Sequence, residues 1–468
     1  MTKSPSLTRR EVLAAAPLAL LPAGLSGQAA GQQPNIVFIL ADDLGYADVS
    51  CYGRPDFSTP NIDRIAADGM KFLQAYANSA VCTATRVALI TGRYQYRLPV
   101  GLEEPLTGSR RNIGLPPEHP TLPSLLKKVN YGTTLIGKWH LGWLPTFSPL
   151  KSGYDHFWGF RGGALDYFTH KSGPANTDTE DLWDGDAKVH QNGYLTDLLG
   201  DRAVAAINDY AKAKRSFFIS LHFNAPHWPW EAPGDEAESQ RISALVDHDG
   251  GTQETYARMI RQMDLQIGRV LGALDANGIA NNTIVVFTSD NGGERFADTW
   301  PFTGKKTELL EGGLRIPAVV RWPGHIRPGA TTNQVAISMD WLPTLLAAAG
   351  AQTDPAYPPD GTNLLPTLTA NAAPVSRRLY WRYHANEQRA VRDGDMKWLK
   401  INENTFLFNV VADPLERANL KNRRPEVYRK LVAEYEEWNS TMLPIDPAGS
   451  TSTFTADQWA DHIGNRAK

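Results

Sequence analysis

The sequence reads Asn35-Ile36-Val37-Phe38-Ile39-Leu40-Ala41-Asp42-Asp43 at the point where its first long apolar run ends. A run of this kind is too apolar to face water and predicts a strand that is buried on both faces. Similar runs cover 132–136, 216–221 and 283–288, and apolar residues with helical spacing cover 256–274. The alternation of strands and helices predicts an α/β fold with a large, mixed but mostly parallel sheet that is flanked by helices.

The pattern changes at about residue 376. Short apolar runs, separated by polar turns, occur at 379–383, 389–392, 396–401 and 405–410. They predict a smaller antiparallel sheet, and residues 425–438 predict a helix after it. We therefore expect a catalytic domain over 31–375 and a C-terminal α+β subdomain over 376–468.

The first thirty residues differ from the rest of the chain. Arg9 and Arg10 precede a small, apolar stretch, which is typical of a twin-arginine signal peptide over 1–30. Pro17 and Pro22 interrupt this stretch, and it is shorter than the roughly 20 residues that cross a bilayer. We expect a periplasmic or secreted protein with no stable membrane anchor.

Composition excludes several classes of protein. With 47 basic and 50 acidic residues the formal net charge is −3, which argues against a nucleic-acid-binding module. Only 2 cysteines are present, so neither a disulfide framework nor a cysteine-based zinc site is expected.

Polar side chains come directly after each of the four predicted buried strands. Because ligands bind beyond the carboxyl ends of parallel strands, we expect these side chains to form one site. In chain order they are Asp42 and Asp43, Lys138 and His140, His227, and Asp290 and Asn291.

Four of these side chains, Asp42, Asp43, Asp290 and Asn291, offer only oxygen and amide ligands. Oxygen donors suit a hard cation, Ca²⁺ or Mg²⁺, rather than zinc or copper. Taken alone, the first pair also fits a helix cap and the second pair a polar turn.

The segment Val81-Cys82-Thr83-Ala84-Thr85-Arg86 is the most distinctive of the chain. The residues after it look helical, so Cys82 is expected at a helix N-terminus, where an anion is favoured. A lone cysteine is more often a small buried apolar residue, and Cys51 fits that structural role.

At these residues the chain resembles the formylglycine-dependent sulfatases of the alkaline phosphatase superfamily, over nearly its whole mature length. The cysteine segment, continued by Thr91-Gly92, is similar to the signature whose cysteine is oxidised to formylglycine. Further similar blocks are Gly137-Lys138-Trp139-His140-Leu141-Gly142, Ala225-Pro226-His227, Ser289-Asp290-Asn291-Gly292, Glu311-Gly312-Gly313-Leu314-Arg315, Met339-Asp340 and Asp413-Pro414-Leu415-Glu416.

The resemblance implies hydrolysis of sulfate monoesters, of sulfated carbohydrates or aryl sulfates, through a formylglycine hydrate made from Cys82. It implies a Ca²⁺ ion, with Mg²⁺ as the alternative, held by Asp42, Asp43, the modified Cys82, Asp290 and Asn291. Arg86, Lys138 and Lys306 are expected to neutralise the sulfate oxygens. His227 is expected to protonate the leaving alcohol, and His140 to take a proton from the second hydroxyl of the hydrate. A formylglycine-generating maturation enzyme is the implied protein partner.

Two other functions stay open at this point. A phosphonate or phosphodiester hydrolase of the same superfamily tends to have histidine at the position of Asn291. A non-catalytic protein that binds sulfated glycans would keep Cys82 unmodified, and Ala84 stands where the common signature has proline.

We also expect Arg315 to form a structural ion pair. Tyr167, His170 and Trp183 lie in a polar segment, 162–192, that is expected to form a loop near the site, and they are candidates for substrate contact.

Overall fold

A computed structural model describes residues 33–172, 179–242, 245, 250–370 and 372–453, so the expected signal peptide lies outside the described residues. The strands are β1 (Asn35–Ala41), β2 (Met70–Phe72), β3 (Ala75–Tyr76), β4 (Gly132–Lys138), β5 (His156–Phe160), β6 (Trp183–Asp184), β7 (Ala187–Lys188), β8 (Phe217–His222), β9 (Thr283–Ser289), β10 (Ala318–Arg321), β11 (Ala330–Thr332), β12 (Ala336–Ile337), β13 (Arg378–Tyr383), β14 (Gln388–Asp393), β15 (Met396–Ile401) and β16 (Asn404–Asn409). The α-helices are α1 (Pro60–Ala67), α2 (Cys82–Thr91), α3 (Leu122–Lys127), α4 (Leu195–Ala213), α5 (Glu236–Arg241), α6 (Gln253–Ala276), α7 (Glu311–Leu314), α8 (Trp341–Ala349), α9 (Leu365–Ala370) and α10 (Pro425–Asn439).

A ten-stranded mixed sheet forms the centre of the fold, in the order β11-β2-β10-β9-β1-β8-β4-β5-β6-β7. The five strands from β9 to β5 run parallel, whereas β10 is antiparallel to both β9 and β2. The four strands that the sequence predicts as buried are the direct neighbours β9, β1, β8 and β4. Their carboxyl ends therefore lie side by side, and the predicted fold class is confirmed.

Helices cover both faces of this sheet, because alternate side chains of a strand point to opposite sides. On β1, Val37 and Ile39 belong to the apolar core that includes residues of α4 and α6. Ile36 and Phe38 belong to the opposite core, which includes residues of α3 and α8. Within the described ranges, no helix combines the length and the apolar character that a bilayer crossing needs.

The C-terminal strands β13 to β16 form the predicted antiparallel sheet, in sequence order, and α10 packs on β14 and β15. Trp381 and Leu399 of this sheet share an apolar core with Tyr76 and with Ala84 of α2. The smaller sheet thus supports the helix that begins at Cys82.

Candidate functional site

The carboxyl ends of the central strands bring most of the predicted site residues together. Lys138 Nζ lies 2.6 Å from Asp42 Oδ2, and Lys306 Nζ lies 2.6 Å from Asp43 Oδ2. Arg86, on α2, reaches the same edge and donates to Asp290. These charged groups are all buried, so water does not screen their interactions. The residues of the cluster are Asp42, Asp43, Cys82, Arg86, Lys138, His140, His227, Asp290, Asn291 and Lys306.

The backbone at this edge adopts conformations that most residues avoid. Asp43 and His140 have left-handed backbone angles, with φ of 62° and 55°. Gly137, before Lys138, also has positive φ, and a Cβ there would lie 1.9 Å from the carbonyl oxygen of His222. Strained angles of this kind cluster at functional sites, where the surrounding structure holds them in place.

The oxygen-bearing side chains leave two buried atoms without a hydrogen bond. Asp42 Oδ1 and Asn291 Oδ1 have no hydrogen-bond partner among the described residues. Ligand atoms of Asp42, Cys82 and Asp290 all lie within 4.8 Å of one another. Because an unpaired buried acceptor is costly, this arrangement fits a hard cation bound between the strand ends.

The two aspartates have opposite electrostatic environments. Burial, reinforced by Asp290, raises the pKa of Asp42 well above its ordinary value, although Lys138 opposes this. Burial acts on Asp43 as well, but Lys306, His227 and Lys138 together outweigh it and hold the pKa of Asp43 well below its ordinary value. Asp43 therefore favours its ionised form, and Asn291 Nδ2 donates to its Oδ1 at 2.7 Å.

Cys82 is the first residue of α2, as expected, and its side chain is buried. Burial raises the pKa of the Cys82 thiol above its ordinary value, although Lys138 and Lys306 oppose this shift. The expected preference for an anion at this helix end is thus outweighed by burial. Unmodified, Cys82 is a neutral thiol and a weak nucleophile.

Arg86 directs its hydrogen bonds to the protein rather than to open space. Its Nε and Nη2 donate to Asp290 Oδ2, at 3.0 and 2.9 Å, and Nη1 donates to the carbonyl oxygen of Lys138 at 3.2 Å. Arg86 therefore joins the ends of β9 and β4. These hydrogen bonds use three of the five N–H donors of the guanidinium group, so the expected contact of Arg86 with the sulfate oxygens stays a prediction.

Each of the two predicted histidines has one ring nitrogen that no carbonyl oxygen holds. His227 Nδ1 lies 2.7 Å from the carbonyl oxygen of Trp228, so Nδ1 carries the proton, and Nε2 lies 3.3 Å from Lys306 Nζ. His140 Nε2 donates to the carbonyl oxygen of Leu106 at 2.8 Å, and its Nδ1 has no partner within the described ranges. Burial lowers the pKa of both imidazoles well below the ordinary value, and nearby lysines add to this.

Two residues of the site were missed from the sequence. Glu294 Oε2 lies 3.4 Å from Lys306 Nζ, and burial raises the pKa of Glu294 to about 8 although Lys306 opposes the shift. His222 Nδ1 lies 3.1 Å from the carbonyl oxygen of Lys138. Their places in the sequence could have identified both, since His222 ends the third buried strand and Glu294 comes shortly after Asp290-Asn291.

The structure corrects two of the three candidates for substrate contact, because it buries Tyr167 and His170. Tyr167 is fully buried, and its hydroxyl donates to the carbonyl oxygen of His227 at 2.9 Å, so it positions that loop. His170 is also buried and contacts the carbonyl oxygen of Gly193. Trp183 is half-buried in β6 and its Nε1 donates to Asp181. Tyr167 turns inward because it completes the core beside α4, whereas Trp183 packs at the margin of the opposite core.

Arg315 forms the expected structural ion pair. Its Nε lies 2.7 Å from Glu311 Oε2, and Lys397 of β15 lies 2.9 Å from Glu311 Oε1 and 3.0 Å from Glu416 Oε1. All these groups are buried. They connect the segment after Lys306 to the C-terminal sheet.

Comparisons with known proteins agree with this geometry. The chain matches the Sulfatase family over residues 34–351 and the family described as N-sulphoglucosamine sulphohydrolase, C-terminal, over 302–440. Arylsulfatase J of Mus musculus is 30% identical over 475 residues, which cover 90% of this chain and 78% of that protein. Arylsulfatase A of Homo sapiens is 32% identical and covers 85% and 81% of the two chains. The crystal structure of Ps i-CgsB in complex with k-i-k-neocarrahexaose superposes with a TM-score of 0.81 at 32% identity, and covers 92% of this chain and 97% of that one.

Proposed function

The chain belongs to the sulfatase family and is a sulfuric ester hydrolase, and on that premise we propose that it acts through a formylglycine made from Cys82 and a Ca²⁺ ion. The observation that carries the proposal is the pair of unpartnered buried oxygens, on Asp42 and Asn291, beside Cys82 within the described part of the chain. Buried acceptors of this kind, next to a cysteine at a helix start, are expected where a cation and a modified side chain complete the site.

The cation would be held by Asp42, Asp43, Asp290, Asn291 and the modified side chain at position 82. When bound, it supplies positive charge to the sulfate oxygens and to the attacking hydroxyl. The donor set is made of oxygens, which fits Ca²⁺, and Mg²⁺ is the alternative.

Formylglycine supplies an aldehyde whose hydrate carries two hydroxyl groups, one to attack sulfur and one to expel sulfate afterwards. The thiol of Cys82 offers neither, because it has a single S–H group and no second hydroxyl that could expel sulfate, and burial also raises its pKa. The maturation enzyme that performs the oxidation must accept Ala84 in the signature.

Fixed positive charge at the site comes from Lys138 and Lys306. Each ammonium group has three donors, so each can keep its aspartate partner and still donate to a sulfate oxygen. Arg86 fixes the Asp290 carboxylate and the Lys138 backbone in place, and its charge adds to the neutralisation of the sulfate oxygens.

The two histidines have different roles in proton transfer, one as donor and the other as acceptor. His227 Nε2 faces Lys306 and Asp43, and because the neutral ring carries its proton on Nδ1, Nε2 takes up a second proton in the presence of the anionic ester and then delivers it to the leaving alcohol. His140 Nδ1 can accept the proton of the second hydroxyl, because its Nε2 is held by Leu106. Proton transfers of this kind contribute about 10²- to 10⁴-fold to a rate.

The substrate is a sulfate ester of a carbohydrate or of an aryl alcohol. Relatives at 30% identity or more include arylsulfatases and N-acetylgalactosamine-6-sulfatases, and the structure of Ps i-CgsB holds a neocarrahexaose. These names favour carbohydrate sulfates for this chain. Asn291, which donates to Asp43, occupies the position at which phosphonate hydrolases tend to have histidine, and so favours sulfate over phosphonate.

The rest of the chain is assigned as the sequence suggests. Residues 1–30 act as a twin-arginine signal peptide that exports the folded protein to the periplasm or beyond, residues 31–375 form the catalytic domain, and residues 376–468 form the C-terminal subdomain. Because this route carries folded proteins, the oxidation of Cys82 can precede export.

Replacement of each cysteine in turn tests the proposal. We expect Cys82→Ala to reduce turnover of 4-nitrocatechol sulfate and of N-acetylgalactosamine 6-sulfate by more than about 10³-fold, with circular dichroism unchanged. The matched control is Cys51→Ala, which removes the other, half-buried cysteine and should keep full activity. Near-full activity of Cys82→Ala would contradict the proposal.

A further inference from the structure

Residues 294–305 form a loop that begins and ends at the proposed sulfate site. It closes where the Lys306 N–H donates to the carbonyl oxygen of Gly293 at 2.9 Å. The side chains of Lys306 and Glu294 also meet there, with Nζ 3.4 Å from Oε2. The base is closely packed, since a Cβ at Gly293 would lie 2.1 Å from the Cβ of Ala297. The two ends of the loop are therefore fixed relative to the site.

Trp300 lies at the tip of this loop. Phe302 N donates to the carbonyl oxygen of Thr299 at 2.8 Å, which closes a turn with Trp300 in its second position. Trp300 N donates to Asp298 Oδ1 at 2.9 Å. The Trp300 side chain is nevertheless 66% exposed. A single exposed apolar residue needs no explanation in general, but here hydrogen bonds fix the backbone that presents it.

The tip lies within reach of the site. The carbonyl oxygen of Asp298 packs against Gly45, where a Cβ would be 2.5 Å away. Asp43 is two residues from Gly45, and Trp300 is two residues from Asp298. Two residues span at most about 7 Å, so the Trp300 backbone lies within about 20 Å of Asp43. This upper limit places Trp300 within reach of the sugars that neighbour a sulfated sugar in the site.

The same loop carries a cation with an unused donor. The guanidinium group of Arg295 lies 5.6 Å from the ring centre of Trp230 and 5.1 Å from that of Phe296. Its Nη1 is buried and makes no hydrogen bond among the described residues. Guanidinium donors pair strongly with sulfate and carboxylate groups.

We propose that residues 294–305 form a binding subsite for a sugar that neighbours the sulfated one in an anionic glycan. Trp300 packs against the C–H face of the pyranose ring, which covers an indole that is otherwise exposed to water. Arg295, which is half-buried, supplies positive charge through the exposed part of its guanidinium group to a sulfate or carboxylate of the same glycan chain. The inference rests on the proposed function, because such a subsite acts only beside a centre that hydrolyses sulfate esters.

The test compares a glycan with a substrate too small to reach the loop. The values of kcat and KM are measured for k-i-k-neocarrahexaose, a chondroitin 6-sulfate hexasaccharide and 4-nitrocatechol sulfate. For whichever hexasaccharide is hydrolysed, we expect Trp300→Ala to raise KM about tenfold and Arg295→Gln to raise it severalfold. We expect Trp300→Phe, which keeps a ring, to restore most of the loss. The control is Leu265→Ala on α6, which removes another exposed apolar side chain, 52% exposed.

The remaining outcomes overturn the inference. Equal losses on the hexasaccharide and on the aryl sulfate would make Trp300 a structural residue. An unchanged KM for the hexasaccharide would remove the subsite. Hydrolysis of the aryl sulfate by the unaltered enzyme, without hydrolysis of either hexasaccharide, would overturn the inference and leave the proposed function standing. Failure on all three substrates would contradict the proposed function itself.

Discussion

Asp42 Oδ1 and Asn291 Oδ1 carry a free-energy cost that a bound cation would remove. A buried acceptor without a partner costs about 1–3 kcal/mol. We therefore expect Ca²⁺ to raise the melting temperature of the purified protein and a chelator to lower it. At a concentration of about 100 Kd the ion would stabilise the fold by about 2.7 kcal/mol.

The control for this prediction is Asp42→Asn, which keeps the shape of the side chain but removes a charge that would face the ion. This variant should lose most of the response to Ca²⁺. Melting temperatures that do not depend on Ca²⁺ or Mg²⁺ in the unaltered protein would contradict a cation site at these residues.

His227 and His140 are expected to respond differently to the leaving group. A sugar alkoxide needs a proton when it leaves, whereas 4-nitrocatechol leaves readily without one. His227→Ala should therefore reduce kcat by about 10²- to 10⁴-fold for a sugar sulfate and much less for the aryl sulfate. His140→Ala should reduce kcat to a similar degree for the sugar sulfate and for the aryl sulfate, because the proton transfer to His140 comes after the alcohol has left. Equal losses for both substrates in His227→Ala would reassign the proton donor.

At the scale of single residues, the sequence predicted which polar side chains stand at the ends of the buried strands, but not which contacts they form. Asp42, Lys138 and Asp290 were recognisable because each stands at a strand end. Glu294 was missed because its partner Lys306 lies 12 residues on, across a loop with no regular spacing. The pairing of Arg86 with Asp290 was not predicted, because it depends on how α2 docks on the sheet.

Among the elements, β15 carries a lysine on which the docking of the C-terminal sheet depends. Lys397 is fully buried between Glu311 and Glu416. Lys397→Met would leave the buried Glu416 without its cation and Glu311 with Arg315 alone, and should lower the free energy of unfolding by about 3–5 kcal/mol. Denaturant titration measures this change.

The same strand offers a matched control. Lys400, also on β15, pairs with the exposed Glu387, and Lys400→Met should change the free energy of unfolding by less than about 1 kcal/mol. A second change, Glu416→Gln, should recover part of the free energy of unfolding that Lys397→Met loses, because it removes the carboxylate left without a cation. Similar effects for Lys397→Met and Lys400→Met would contradict the role given to this ion-pair network.

Glu104 makes a pH-dependent connection between the loop before α3 and the C-terminal region. Its Oε2 accepts from His384 N at 2.7 Å, and burial raises the pKa of Glu104 to about 8 from an ordinary value of 4.5 although this hydrogen bond opposes the shift. The folded state thus prefers the protonated carboxyl. The contribution of the protonated Glu104 carboxyl to the free energy of unfolding is complete below pH 4.5 and is lost as the pH rises through about 8.

Glu104→Gln should remove this dependence, since the amide stays neutral and its oxygen can still accept from His384. We expect the variant to match the original protein at about pH 5 and to melt at a higher temperature at about pH 8.5, on either side of the raised pKa. Glu426→Gln, at a position that is 83% exposed, is the control and should show no such difference. A variant that loses stability equally at both pH values would show that Glu104 is ionised in the fold.

The strands were predicted well wherever the apolar or alternating stretch of sequence was long. The four central strands and the four strands of the C-terminal sheet match their predictions closely, because uniform burial or strict alternation marks them. The short strands β2, β10 and β11, on one side of the sheet, were not predicted, since pairing with neighbours rather than local pattern makes them strands. The segment 162–192 was expected to be a loop, yet it includes β6 and β7, whose two-residue pairing leaves no sequence signal.

On the scale of the whole molecule, the sequence predicted the class of fold but not the order of its sheet. Alternation of strands and helices was sufficient for a parallel α/β sheet. The position of β1 between β8 and β9 depends on long-range pairing, which no local pattern encodes. It is this order that places the two aspartates between the lysine of β4 and the amide after β9. The site is thus a property of the whole sheet.

The most direct test of the account is the mass of the tryptic peptide from Phe72 to Arg86, taken from protein purified out of its own host. If Cys82 is converted to formylglycine, this peptide is about 18 Da lighter than the sequence requires, because an oxygen replaces the sulfur and two hydrogens are lost. That is the result we predict. A peptide at the unmodified mass, from protein that is active, would contradict the central claim that formylglycine at position 82 carries the reaction.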